Sequence, residues 1–140
     1  MIHFELITPE RVMYRQEISQ LTIPTTTGEI TILPNHLPLV TALSPGIARI
    51  TVGGRTEEIA VAGGLVTVEK GSRVRILADS AERGEELDLS VIDEAKKRAE
   101  KLMTEAVRQD DQTYARAAAE LERELARYRV ATRHKRSHHP

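Results

Sequence analysis

Hydrophobic and polar positions alternate with period two through the first half of the chain. His3-Phe4-Glu5-Leu6, Ser19-Gln20-Leu21-Thr22-Ile23, Glu29-Ile30-Thr31-Ile32, Ala48-Arg49-Ile50-Thr51-Val52, Glu58-Ile59-Ala60-Val61 and Ser72-Arg73-Val74-Arg75-Ile76-Leu77 each put apolar groups on one face. That pattern predicts half-buried strands. Gly53-Gly54 between two such runs predicts a tight hairpin, and Gly63-Gly64 and Lys70-Gly71 mark further turns. Many short strands separated by turn signals predict an antiparallel sandwich or flattened barrel.

The period then changes. Ile92, Ala95, Ala99, Leu102 and Ala106 recur at helical spacing, as do Tyr114, Ala118, Leu121, Leu125, Tyr128 and Thr132. Each set is a narrow seam of the kind that packs against one partner helix. Asp88 or Ser90 is placed to cap the first helix and Asp110 or Asp111 the second, with a polar turn near Arg108–Gln112. The predicted fold class is α+β: an N-terminal antiparallel β-sandwich (1–86) followed by a C-terminal antiparallel α-helical hairpin (87–140) ending in a disordered basic tail. The hairpin seams are rich in Ala, which buries little area at about 25 cal/mol per Å². A weakly held, switchable hairpin and a permanently docked one both fit this pattern.

Composition sharpens the division. All eight glycines lie between Gly28 and Gly84, and residues 85–139 contain neither Gly nor Pro, as helix interiors require. Residues 1–86 carry eight Lys/Arg against eleven Asp/Glu, and residues 87–140 carry twelve against ten. The net charge of −1 excludes a general nucleic-acid binder. Aromatic residues make up 3% of the chain and Trp is absent, which argues against a base-stacking platform. There is no cysteine, which excludes disulfides, thiolate metal sites and cysteine nucleophiles and fits a reducing compartment. The N-terminus lacks the basic and apolar regions of a signal peptide, and no apolar run is long enough to span a bilayer. Direct membrane insertion is therefore not expected.

The stretch Gly28-Glu29-Ile30-Thr31-Ile32-Leu33-Pro34-Asn35-His36-Leu37-Pro38-Leu39-Val40-Thr41 resembles the signature of one family. Val61-Ala62-Gly63-Gly64-Leu65-Val66-Thr67-Val68, Ala81-Glu82-Arg83 and the helical run from Tyr114 to Ala131 resemble the same family in the same order. It is the epsilon subunit of bacterial F-type ATP synthases, and the resemblance extends from Phe4 to about Lys135. The resemblance implies a non-catalytic rotor-stalk subunit coupling proton translocation to ATP synthesis, with a hairpin that inhibits ATP hydrolysis. The implied location is peripheral, on the cytoplasmic face of the bacterial plasma membrane. The implied partners are the gamma subunit, the ring of c subunits and, through the hairpin, the alpha and beta subunits of the catalytic head.

Residue roles follow from the same resemblance. Glu29, Ile30 and Leu33 would face the c ring, and His36, Leu37, Pro38 and Leu39 the gamma subunit. For Glu29 the alternative is an ordinary solvated turn residue, and for His36 a hydrogen bond that fixes its loop. Arg116, Arg123 and Arg127 would meet an acidic loop of the beta subunit, or else form a solvated face paired with Glu120 and Glu124. Some bacterial relatives hold ATP at the start of the hairpin. Here Glu82, Leu87 and Asp88 match that motif and Arg123 and Arg127 match its second-helix positions, but Val91 stands where the motif needs Arg. Val offers no donor to a phosphate, so the site reads as degenerate. No resident cofactor, metal set or catalytic constellation is expected: His36 lacks partner ligands, and Glu29, His36 and Asp88 belong to separate elements. His134, His138 and His139 read as part of a frayed end.

Overall fold

A computed structural model describes residues 1–106 and 111–137. Eight strands come first: β1 (Ile2–Ile7), β2 (Val12–Ile18), β3 (Gln20–Thr25), β4 (Gly28–Ile32), β5 (Leu39–Val52), β6 (Arg55–Glu69), β7 (Arg73–Ala78) and β8 (Ala81–Arg83). A 3-10 turn, Gly84–Glu86, leads into α1 (Leu89–Ala106) and then α2 (Asp111–Ser137). The strand order is β2-β1-β7-β6-β5-β3-β4, with β8 paired to β6. Only the β1–β7 pair is parallel among the described residues.

Two strands make the sandwich. β5 and β6 are 14 and 15 residues long and pair with each other along their length. Their first and second halves lie in different layers, because β7 takes the second half of β6 while β3 and β8 take the opposite ends. The pairing steps from Leu43↔Gly64 to Pro45↔Ala62, which marks the bend. The sequence reading made Gly63-Gly64 a turn; instead both glycines lie inside β6. Gly64 has φ 138°, and a Cβ there would lie 2.0 Å from the Leu77 carbonyl oxygen. Only glycine lets β7 approach this closely at the corner.

The two inner faces form one core. Ile2, Phe4, Leu6, Val66, Val68, Val74 and Ile76 of one layer meet Leu21, Ile23, Ile32, Ile50, Ile59 and Val61 of the other. β2 escaped the period-two reading because its burial is irregular: Met13 and Tyr14 are buried side by side, next to the register shift at Leu6/Ile7.

The helices form the expected pair, but α2 does not present the expected seam. Its buried residues are Ala117, Glu124, Ala126, Val130 and Ala131, while Tyr114 and Tyr128 are exposed. α2 serves two partners at once. It packs along α1, and it lays Ala126 and Val130 on Ile47 and Ala60 of the outer sandwich face, with Leu87 against them. A stripe read for one partner misplaces the face of a helix that has two. In α1, Ile92 and Ala99 are buried as expected and Leu102 is exposed. Asp88 caps α1, its Oδ1 accepting from Ser90 N at 2.9 Å and from Ser90 Oγ at 2.8 Å. The expected turn falls largely on residues 107–110, outside the described residues. α2 continues through Ser137, so His134 is helical; His138, His139 and Pro140 lie outside the described residues.

Candidate functional site

The surface offers three regions, each set by strand register. The first is the end of the sandwich formed by the β3–β4 turn and the β4–β5 loop. Glu29, second in β4, is exposed and accepts from Arg49 Nη1 at 3.2 Å. Ile30 is half-buried and packs on the core, whereas Leu33 projects with 52% exposure. The β4–β5 loop is held by hydrogen bonds within itself and by one to Ser72. His36 N donates to the Leu33 carbonyl and His36 Nδ1 to the Leu37 carbonyl at 2.7 Å, so the loop-fixing bond is present. Asn35, with φ 65°, donates its N–H to Ser72 Oγ at 2.8 Å. Leu37 is 79% exposed and Pro38 is exposed, while Leu39 packs on the core.

The second region was missed from sequence. On the outer face of the layer that carries no helix, Val12 pairs with Ile7, Ile7 with Leu77, Leu77 with Leu65 and Leu65 with Ala42. An apolar row thus crosses β2, β1, β7, β6 and β5, and Val12, Leu65 and Leu77 are each more than 40% exposed. The neighbouring rows, Arg15-Glu5-Arg75 and Glu17-His3-Arg73-Glu69, are charged. The signal was the loss of alternation at Leu65-Val66 and Ile76-Leu77-Ala78, where both faces of a strand turn apolar.

The third region is the seam between α2 and the sandwich. Arg127 Nη2 donates to Glu82 Oε2 at 3.0 Å, and its Nη1 donates to Glu124 Oε2 at 2.9 Å. Arg127 Nε lies 2.9 Å from Glu82 Oε1, within ion-pair range but off the hydrogen-bond line. Glu124 is buried. Two carboxylates therefore share one guanidinium. Arg133 Nη1 reaches Glu58 Oε2 further along α2. Gly84 lies beneath this turn of helix: a Cβ there would come within 2.5 Å of His134 Cβ.

Of the degenerate nucleotide set, Glu82, Leu87 and Arg127 meet at this seam. Asp88 is exposed and engaged in its cap, which holds its carboxyl below the usual value, first through the Ser90 hydroxyl and then through backbone N–H groups. Arg123 is half-buried, with an Nε that has no hydrogen-bond partner among the described residues. Arg116 is exposed. Among the described residues no cluster of His, Asp and Glu could hold a metal, and no helix is long and apolar enough to cross a membrane.

Comparison with known proteins decides the family. Residues 1–84 match the β-sandwich domain of the ATP synthase delta/epsilon chain, and residues 85–132 match its long α-helix domain. The chain belongs to the epsilon subunits of the ATP synthase delta/epsilon family. It is 42% identical over 129 residues to the ATP synthase epsilon chain of Syntrophomonas wolfei, covering 91% of each. It is 48% identical over 98 residues to that of Carboxydothermus hydrogenoformans, covering 70% of this chain and 72% of the relative. A chain in the Euglena gracilis mitochondrial ATP synthase structure, OSCP/F1/c-ring in rotational state 1, shares the fold with TM-score 0.74 at 24% identity. The match covers 99% of this epsilon subunit and 81% of the other chain. Epsilon subunits are non-catalytic stalk subunits of a membrane complex.

Proposed function

We propose that this epsilon subunit couples proton-driven rotation of a c ring to the catalytic head, and that its hairpin restrains ATP hydrolysis. The observation that carries the reading is the division of surfaces. One outer sandwich face holds the hairpin through small side chains and ion pairs, and the opposite outer face presents the apolar row. Residues 1–86 then form the docking module and residues 87–140 the regulatory one. Glu29, Ile30 and Leu33 would meet the c ring. His36, Leu37, Pro38 and Leu39 would meet the gamma subunit, which the apolar row would also seat. Such a subunit sits on the cytoplasmic face of a bacterial plasma membrane, held there by its partners.

Released from the sandwich, α2 would offer Arg116, Arg123 and Arg127 to an acidic loop of the beta subunit. The attraction works because Arg127 leaves Glu82 behind and can pair again. Neutralising Arg123 and Arg127 together should relieve part of the inhibition in the assembled enzyme. The direct test deletes residues 87–140 and measures ATP hydrolysis by the complex. A rise with assembly intact supports inhibition by the hairpin. An unchanged rate favours the second reading, a subunit for assembly and coupling whose hairpin stays docked, which the Glu82–Arg127–Glu124 cluster supports.

ATP sensing is less well supported. Arg127 is already engaged by both Glu82 and Glu124, and Val91, 52% exposed, supplies no donor. Calorimetric titration with magnesium and millimolar ATP should give no heat; saturable heat would restore the nucleotide reading.

A further inference from the structure

The outer face that carries α2 also carries a row of alternating charge. Glu29 stands on β4, Arg49 on β5, Glu58 on β6 and Arg133 on α2. Arg49 and Glu58 are direct cross-strand partners. Arg49 Nη1 donates to Glu29 Oε2 at 3.2 Å, and its Nε lies 3.5 Å from Glu58 Oε2. That same Glu58 oxygen accepts from Arg133 Nη1. One carboxylate oxygen is thus shared by two guanidinium groups, one belonging to the sandwich and one to the hairpin. The two cations repel each other across that oxygen, and the carboxylate's single charge is divided between them. Glu29 moderates that competition by drawing Arg49 toward itself and screening its charge.

The geometry points to a coupling between the far end of the sandwich and the docking of α2. When Glu29 is engaged by a basic group of whatever seats on that end, Arg49 turns wholly to Glu58. Arg49 then brings its full positive charge against the oxygen that holds Arg133, and the last turns of α2 loosen. Seating and hairpin release are linked, and by reciprocity a docked hairpin opposes seating. Assigning the c ring as the occupant rests on the function proposed above; the coupling itself belongs to this chain alone.

Amide hydrogen exchange of residues 127–134 in the isolated full chain, at low ionic strength, reads the docking equilibrium. Exposed ion pairs of this kind correspond to about twofold to fivefold in such an equilibrium. Arg133→Gln should speed exchange by several fold. Glu29→Gln, some distance along the row, should speed it by about twofold. Arg49→Gln should slow it, because Glu58 is left to Arg133 alone. When Glu29→Gln is combined with Arg49→Gln, the effect of Glu29→Gln should vanish. Exchange in β1 should not change in any of them. A merely structural row would make every single substitution accelerate exchange, and that result overturns the coupling, as does a Glu29→Gln chain that exchanges like the parent. If the exchange pattern holds but Glu29→Gln binds an isolated c ring as well as the parent does, the coupling stands and the c ring is the wrong occupant.

Discussion

Arg83 closes the edge of the sandwich between β8 and β2. Its guanidinium lies 4.6 Å over the Tyr14 ring, its Nε donates to Tyr14 Oη at 3.0 Å and its Nη2 to the Met13 carbonyl at 2.7 Å. Burial, followed by the nearby Glu57 carboxylate, pushes the Tyr14 hydroxyl well above its ordinary value of 10.0. The folded state therefore favours the neutral phenol. Its contribution is complete below the unfolded-state value and is lost as pH climbs through the alkaline range toward the folded-state value. Chemical denaturation should accordingly show stability falling above about pH 10, with a smaller fall in Tyr14→Phe. Equal slopes for the two chains would remove Tyr14 from the account. At α1 the sign is opposite. The carboxyl of Asp88 is held low, so its cap persists above the ordinary aspartate range and is lost as pH falls below it. Protection of the Ser90 and Val91 amides relative to their intrinsic exchange rates should fall in acid, and Asp88→Asn should flatten that response. Arg127 belongs at this scale too. Arg127→Ala would strand buried Glu124 without its cation, at a cost of about 1–3 kcal/mol after allowance for partial exposure. The loss should appear as faster exchange throughout the second half of α2.

Among the elements, α2 is the one that ties the hairpin to the sandwich, and its apolar contacts there are small. Val130 rests on Ile47 and Ala60, and Val130→Ala would remove about 1.5 kcal/mol of burial. Gly84→Ala tests the close approach directly. A methyl group at 2.5 Å from His134 Cβ forces the helix outward, so hairpin exchange should rise while β-sandwich exchange stays as it was. A Gly84→Ala chain with unchanged α2 protection would mean that the helix can shift without cost. Much of this element was legible beforehand: the absence of Gly and Pro from residues 85–139 and the spacing from Ile92 onward mark two helices. The face that α2 buries was not. Helical spacing records which positions are apolar, but Ala is small enough to be read on either side, and Glu124 is buried by a charge pair that apolar periodicity cannot register.

In the whole molecule, the long strands β5 and β6 decide which surfaces are free. Their bend puts Ile47 and Ala60 under the hairpin while Leu65 and Leu77 stay open on the opposite layer. Replacing Leu65 and Leu77 together by Glu should leave the monomer folded, since both are more than 40% exposed. It should nonetheless weaken incorporation into the complex by tenfold or more, at about 1.4 kcal/mol per factor of ten. Full incorporation of a folded double variant, measured by pull-down on the gamma subunit, would show that the apolar row is not the seat. These consequences could not be read along the chain, because a row across five strands is assembled from residues as distant as Val12, Leu65 and Leu77.

What the sequence alone determined was local or familial. Period-two runs specify strands, the absence of Gly and Pro from residues 85–139 specifies helices, and the run from Gly28 to Thr41 carries the family signature. Those signals survive in isolation because backbone sterics and side-chain spacing act over a few residues. Tertiary structure decided the pairings: Arg127 with Glu82 and Glu124, Arg133 with Glu58, and Gly84 beneath His134. The reason is that a charge or a small residue carries no label for its partner. Only strand register and the seating of α2 bring residues 45 or 75 positions apart within hydrogen-bonding distance.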